Sequence, residues 1–462
     1  MDSLTVAELA QFSIEAPRYT SYPTAVEFSS SVGPTAHASF LRDASERAAE
    51  PLALYVHLPF CREICHFCGC HALVAHTEDR RERYQQALTT EIALVAAHLG
   101  ERRQVSELHF GGGSPSFLPA SSFATLMRTL RSHFTFASDA ALSLEADPRT
   151  TDEEKLATYR EQGIGRISFG FQDLDAGVQR AIGRHQTAEV STSTFHAARR
   201  AGFEGINVDL CYGLPEQTPD TFARTIDEVL ALRPDRVAIF GYAHVPWVKP
   251  KQKLIVVDSL PSTEVRLALV TLARQRFLAA GYEAIGLDHF ALPDDELARA
   301  VRARRLHRNF QGYTTTSTDT LIGLGLSAIS ELDAGYAQNA RSLRAYYDAL
   351  DGGRLPTERG VPRTEEDRLR WAIIREIMCD FRLDVPALER RSGRVFARDF
   401  ASELAALLHL ETTGLVRADA RGFELTSLGR IFARNVAVVF DAYRAKAGAA
   451  PGHAPRRFSR SI

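Results

Sequence analysis

Four of the chain's six cysteines fall within ten residues, Cys61, Cys65, Cys68 and Cys70, in the pattern C-x3-C-x2-C-x-C. Three thiolates this closely spaced can wrap one iron–sulfur cluster. A four-iron cluster held by Cys61, Cys65 and Cys68 alone keeps one iron open for an outside ligand. Cys70 lies too near Cys68 in sequence for an easy bite on the same cubane. A structural zinc site fits less well, since it prefers two C-x2-C knuckles or a knuckle with spaced histidines, and Cys211 and Cys379 are single and distant. A thioredoxin-type pair at Cys65 and Cys68 would leave Cys61 and Cys70 without a role and put His66 and Phe67 between the thiols. The pattern points to redox chemistry at an open iron.

The elements that must position this loop are legible as alternating patterns. Residues 50–245 alternate β-rich runs at 52–58, 105–110, 141–146, 166–171, 205–210 and 236–242 with helical periodicity at 79–98, 120–133, 152–162, 188–201 and 219–231. Six βα-type repeats imply an α/β fold with a parallel sheet and right-handed crossovers, either an open doubly wound sheet or a curved partial barrel. In such folds functional groups gather where strands end. The polar residues fall there: the cysteine loop, Gly111-Gly112-Gly113-Ser114-Pro115, Glu145, Gln172, Asp209 and Ala243-His244. A helix-rich connector follows, with a further strand expected at 282–287 before Asp288-His289-Phe290. Helices at 365–380 and 396–410, a hairpin at 414–425 and a helix at 427–445 resemble a winged-helix domain. The Gly-, Pro- and Arg-containing tail at 448–460 is expected to be loosely held.

Composition excludes several classes. The formal charge of −2 gives no electrostatic footprint for nucleic acid over the whole molecule. Residues 361–462 are mildly basic, with 18 basic against 13 acidic side chains, too modest an excess for a concentrated recognition face. No uncharged run of about 18 apolar residues occurs, so no membrane span is expected. The first eight residues carry acids where a secretory signal needs basic residues and lack an apolar core. Scarce, clustered cysteines suit cytoplasmic metal chemistry rather than a disulfide framework.

The C-x3-C-x2-C directly after the hydrophobic run at 54–60 resembles the radical S-adenosylmethionine (SAM) enzymes. The longer C-x3-C-x2-C-G-C, with R-Y-T-S-Y-P-T at 18–24 and N-F-Q-G-Y-T-T at 309–315, is similar to the oxygen-independent coproporphyrinogen III oxidases. This resemblance runs from about residue 18 to the C-terminal R-F-S-R-S-I. It implies a partial six-stranded (βα)6 barrel, and four regions: an N-terminal extension closing the substrate site (1–45), the barrel (46–245), a barrel extension with a substrate-site loop (246–360) and a mainly helical, winged-helix-like C-terminal domain (361–462). It also implies a 4Fe-4S cluster on Cys61, Cys65 and Cys68, whose open iron binds the methionine moiety of SAM. A first SAM site would comprise Tyr55, Gly112, Glu145 and Ile329, with Glu145 accepting from the ribose hydroxyls. A second SAM would meet Phe67, Gly113, Ser114, Gln172, Arg184, Asp209 and Ala243. The family more often has Thr at the position of Ser114, which keeps the hydroxyl.

The implied activity is oxidative decarboxylation of two propionates of coproporphyrinogen III to vinyls, in porphyrin and haem biosynthesis, by a monomer using an unidentified electron donor and acceptor. Planar arginine is the natural partner of propionate carboxylates. The run Arg302, Arg304, Arg305, Arg308 reads mostly as a solvated helix face paired with Asp294, Asp295 and Glu296. Arg308 and the loop Phe310, Gln311, Gly312, Tyr313 match the family motif and are the substrate-side candidates, together with Arg18. Two other functions compete. Haem-binding chaperones of the same superfamily lack the second cysteine of C-x-C and the 18–24 segment, and both are present here. An iron–sulfur transcriptional sensor would leave the glycine, Glu145 and Asp209 constellation idle.

Overall fold

The computed structural model describes residues 11–444, apart from 13 and 76; the expected loose tail at 448–460 lies outside the described residues. All six strands expected between 50 and 245 are present: β1 (Leu52–Leu58), β2 (Gln104–Gly112), β3 (Thr135–Ala146), β4 (Arg166–Gln172), β5 (Gly205–Tyr212) and β6 (Arg236–Gly241). They pair in chain order, each parallel to the next. The sheet does not stop there. It reaches twelve strands, because Leu321–Leu324 adds parallel to β1 and carries an antiparallel run of three more, while His289–Ala291 and Glu283–Gly286 add antiparallel beyond β6. The strand expected at 282–287 is therefore an edge strand of the same sheet.

The strands read as they do because their two faces differ. In β4 Ile167, Phe169 and Phe171 are buried to 1% exposure or less, whereas Ser168, Gly170 and Gln172 between them point the other way. In β5 Ile206, Val208 and Leu210 are fully buried and Asn207 and Asp209 alternate with them. Side chains two apart share a face, so one face packs under the helices and the opposite face is polar. Helices return the chain between strands with sequence-coded starts. Thr218 and Thr221 form a reciprocal capping box before Pro219–Leu232, and Thr187 caps Ala188–Arg200.

The C-terminal region holds a three-stranded antiparallel sheet, Arg382–Asp384, Gly422–Leu425 and Val416–Asp419, among short helices. The expected hairpin is there. The helix expected at 427–445 is broken into Ser427–Ile431 and Ala433–Ala437, because Phe432 is buried against Phe12 (ring centroids 5.2 Å apart) and Arg434 Nε donates to Pro17 O at 3.0 Å. The helix expected at 396–410 likewise breaks at Phe400, which packs on Phe396 and Phe440. Tertiary packing, onto the N-terminal segment in the first case and within the C-terminal region in the second, thus overrides local helical preference.

Candidate active site

The polar face of the sheet builds the site from strand register alone. Tyr55 of β1 lies opposite His109 of β2, and His109 opposite Ser143 of β3. One step along, Glu145 of β3 lies opposite Ser168 of β4, and Ser168 opposite Asn207 of β5. The row is bonded internally. His109 Nδ1 meets Ser143 Oγ at 2.8 Å, Ser168 Oγ donates to Asp209 Oδ2 at 2.8 Å, and Asn207 Nδ2 donates to Asp209 Oδ1 at 2.7 Å. Cross-strand neighbours therefore fix where each carboxylate points.

Glu145 accepts from the Gly112 N–H at 3.2 Å and has His109 Nε2 at 3.5 Å, yet 45% of its side chain stays exposed to the cavities it faces. Burial alone would push its carboxyl up; the His109 contact and the Gly112 N–H outweigh that and hold it below the usual range. Asp209 is the opposite case. Burial, with the neighbouring Glu145 charge, pushes it up to about 7 against its Ser168 and Asn207 hydrogen bonds. The two carboxyls thus differ in protonation near neutrality. Gly112 (φ +116°) is required as glycine: a Cβ there would stand 2.6 Å from the His57 ring, and one on Gly113 would stand 2.5 Å from Pro59 O.

Two cavities meet at Glu145. One, of about 530 Å³, is lined by Cys61, Cys65, Cys68 and Phe67 together with Gly113, Ser114, Gln172, Arg184, Asp209 and Ala243. The other, of about 480 Å³, is lined by Tyr55, His57, Ile329, Phe310 and Gln311. The structure so brings together, on one wall, the three cysteines and the residues expected for a second SAM, and on the other Tyr55 and Ile329, with Glu145 in both and Gly112 bonded to it.

The cysteine loop suits an electron-rich metal cluster. Cys61, Cys65 and Cys68 are free thiols on one cavity wall, and burial with the neighbouring Cys68 and Cys65 pushes the Cys61 thiol up to about 12. Thiolates crowded away from water need cations. Arg184 supplies one: Nη1 reaches Cys65 Sγ at 3.4 Å, Nη2 donates to Gly170 O at 2.7 Å and Nε to Gln186 Oε1 at 2.9 Å. Arg149, held by Asp147, adds a second with Nη2 4.0 Å from the same sulfur. This donor set fits a 4Fe-4S cluster on Cys61, Cys65 and Cys68; Cys70 lines the same cavity, its thiol hydrogen-bonded to that of Cys68 and its carbonyl accepting from Lys249 Nζ at 3.1 Å.

Other candidates sit differently. Arg308 is 4% exposed and turns inward, with Nε donating to Tyr19 O and Nη2 to Arg18 O, both at 3.1 Å, and its guanidinium 4.5 Å from the Tyr313 ring centroid. Tyr313 OH donates to Met378 O at 3.0 Å, and Gly312 lies in a short hairpin with Arg308 and Asn309. Arg308, Gly312 and Tyr313 line neither cavity; Arg308 clamps the 18–24 segment. Arg18 pairs with Asp288. Asp295 binds Arg166 and Arg236 rather than the 302–308 run. Sequence reasoning missed Arg149, His57, His109 and the segment after β6, where Gln252 Nε2 ties Phe67 O (3.1 Å) to Ala243 O (3.2 Å).

The radical SAM superfamily model matches residues 55–229 and the HemN C-terminal domain model residues 364–432. The chain is 42% identical to the oxygen-independent coproporphyrinogen III oxidase of Pseudomonas aeruginosa over 98% of both chains. The chain belongs to the oxygen-independent coproporphyrinogen III oxidase family. The oxygen-independent coproporphyrinogen III oxidase of Escherichia coli is 42% identical over 95% of both chains, and the anaerobic coproporphyrinogen III oxidase 1 of Cereibacter sphaeroides 44% identical over 94% of this chain and 96% of its own. Among solved structures, coproporphyrinogen III oxidase (HemN) from Escherichia coli, described as a radical SAM enzyme, superposes with a TM-score of 0.88 over 92% of this chain and 97% of that one. The mixed α/β sheet is thus the family's radical SAM fold, which carries a 4Fe-4S cluster and SAM.

Proposed function

We propose that this chain catalyses the anaerobic oxidative decarboxylation of two propionates of coproporphyrinogen III to vinyls, giving protoporphyrinogen IX, as an oxidoreductase of the radical SAM type. One observation carries the reading: four free thiols, Cys61, Cys65, Cys68 and Cys70, line one cavity with the inward polar side chains Glu145, Ser168 and Asp209 of β3–β5. When bound, the cluster supplies one electron to the sulfonium of SAM, releasing methionine and a 5'-deoxyadenosyl radical.

The chain's own groups position and shield. Glu145, ionised and with acceptor capacity to spare, holds the ribose diol of one SAM with Tyr55, the Gly112 backbone and Ile329. Arg184 screens Cys65 and faces a second SAM with Phe67, Gly113, Ser114, Gln172, Asp209 and Ala243. That radical would supply the hydrogen abstraction at the propionate β-carbon, with loss of carbon dioxide and of one electron to an acceptor leaving the alkene. The six strands β1–β6 serve as the partial barrel, 246–360 as its extension with a substrate-site loop, 1–45 as an extension closing the substrate site, and 361–462 as a mainly helical, winged-helix-like domain. We place the protein in the cytoplasm as a monomer, with an electron donor and acceptor still to be identified. The haem chaperone is disfavoured by Cys70 and by the 18–24 segment, whose Tyr19 and Tyr22 are buried to 1% exposure or less and so belong to the fold. Among the described residues no helix is long and apolar enough to cross a membrane.

The reconstituted protein with reductant, SAM and coproporphyrinogen III, without oxygen, should release carbon dioxide and form protoporphyrinogen IX. Tight haem binding with no carbon dioxide would favour the chaperone instead.

A further inference from the structure

A third cavity, of about 320 Å³, opens beside the cysteine cavity and shares Gly241, Tyr242 and Ala243 with it. Its charge is one-sided. Four arginines line it, Arg18, Arg266, Arg274 and Arg434, against two carboxylates, Glu15 and Asp288. Asp288 is already matched by Arg18 and by His289 at 3.0 Å. Arg266 and Arg274 pair with no carboxylate within 4.0 Å among the described residues, and Arg274 Nε is buried without a hydrogen-bond partner. Arg266 spends one Nη2 hydrogen on Tyr242 O at 2.9 Å and lies over the Tyr212 ring, 5.6 Å from its centroid.

The helix Thr263–Ala279 presents this surface deliberately spaced. Thr263, Arg266, Val270 and Arg274 all line the cavity and recur at intervals of three and four, which puts them on one helix face. Burial of guanidinium without a counter-ion is costly, and an unmet buried donor costs free energy of its own. A bound anion would supply the missing counter-ion. The remaining lining is mixed, with Ile239, Val270, Leu287 and Phe290 beside Tyr212, His244 and Thr263, and the volume is at the small end for ligand pockets, so it takes an arm of a ligand and not a whole macrocycle.

We propose that Arg266 and Arg274 form a carboxylate-binding subsite that anchors a propionate arm of the tetrapyrrole substrate while another arm faces the cysteine cavity. The inference rests on the proposed function and names the recognition residues of that site. Guanidinium meets carboxylate in fork geometry, which lysine cannot reproduce. The subsite therefore selects tetrapyrroles by their carboxylates, and Gly241-Tyr242-Ala243 links anchoring to the reacting cavity.

The test titrates coproporphyrin III, the oxidised tetracarboxylate, and its tetramethyl ester into the anaerobically reconstituted full chain, following fluorescence, with SAM affinity measured in parallel. Wild type should bind the acid at least about tenfold more tightly than the ester. Arg266→Gln and Arg274→Gln should each weaken acid binding about tenfold, equivalent to about 1.4 kcal/mol, and leave ester and SAM affinities unchanged. The KM for coproporphyrinogen III should rise in step. Should a glutamine variant fail to fold, Arg266→Lys and Arg274→Lys decide, with acid binding expected to be about three- to tenfold weaker. Unchanged acid affinity in the folded variants, or a loss of SAM affinity in its place, overturns the subsite while leaving the decarboxylation reading intact. A wild-type protein that neither binds nor converts the macrocycle overturns both.

Discussion

Glu145→Ala tests the polar row at a carboxylate whose side chain stays 45% exposed. Glu145 gives one oxygen to the Gly112 N–H at 3.2 Å and has His109 at 3.5 Å from the other. An ionised carboxylate accepts about four hydrogen bonds, so two directions remain for a ribose diol. Hydrogen bonds to a charged group contribute roughly 1.5–3 kcal/mol each. Losing even one should weaken SAM binding about 10- to 100-fold. Glu145→Gln, which keeps the shape and one acceptor, should fall between wild type and Ala. Because His109 and Gly112 hold the carboxyl below the usual range, wild-type SAM affinity should not fall on Glu145's account until the pH drops below the ordinary glutamate range. Equilibrium dialysis on anaerobically reconstituted protein gives the affinity, and the reduced-cluster electron paramagnetic resonance signal checks that the cysteine loop is intact. Unchanged SAM affinity in a folded, cluster-replete Glu145→Ala would show that this acid only tethers Gly112 and His109.

Asp209 stays protonated in the fold to about 7 but ionises near 3.8 when unfolded, so the unfolded chain binds fewer protons and stability falls as pH rises between those values. Asp209→Asn should therefore stabilise the cofactor-free protein by about 1–2 kcal/mol at pH 8 after allowance for partial solvation, the gain growing from pH 4 to 7; urea titrations at three pH values check it. Arg308→Ala leaves the Tyr19 and Arg18 carbonyls unpaired and should cost about 2–4 kcal/mol, with faster amide exchange across residues 18–24. Serine at Cys61, Cys65 or Cys68 should each abolish the cluster signal, while serine at Cys70, Cys211 or Cys379 should keep it.

Period-two alternation made the site's main wall legible, since Glu145 and Asp209 could face only the side opposite Leu144 and Val208. The two expected SAM residue sets came from the family motif and not from periodicity. Side-chain direction was not legible. The 302–308 run looks uniformly basic, yet Arg302 pairs with Glu283 on the surface while Arg308 turns inward onto the N-terminal segment. That clamp changes how the extension is understood: deleting residues 1–30 would strip Tyr19, Tyr22 and Phe28 from the core, so a truncated chain tests folding before it tests closure of a substrate site. The helix Val385–Ser392 went unread although Asp384 caps it, Pro386 sits in its first turn and Gly393 ends it at φ +66°, because its apolar face is short. The 12-stranded extent was hidden because strands of three to six residues, such as Leu321–Leu324, carry too little periodicity.

The central claim is hydrogen abstraction from a propionate β-carbon by a radical formed at the cysteine loop. Coproporphyrinogen III deuterated at that carbon, turned over anaerobically with reductant and SAM, tests it directly by mass spectrometry of the 5'-deoxyadenosine. The account predicts one deuterium transferred into 5'-deoxyadenosine in step with each carbon dioxide released. Carbon dioxide release with unlabelled 5'-deoxyadenosine would contradict it.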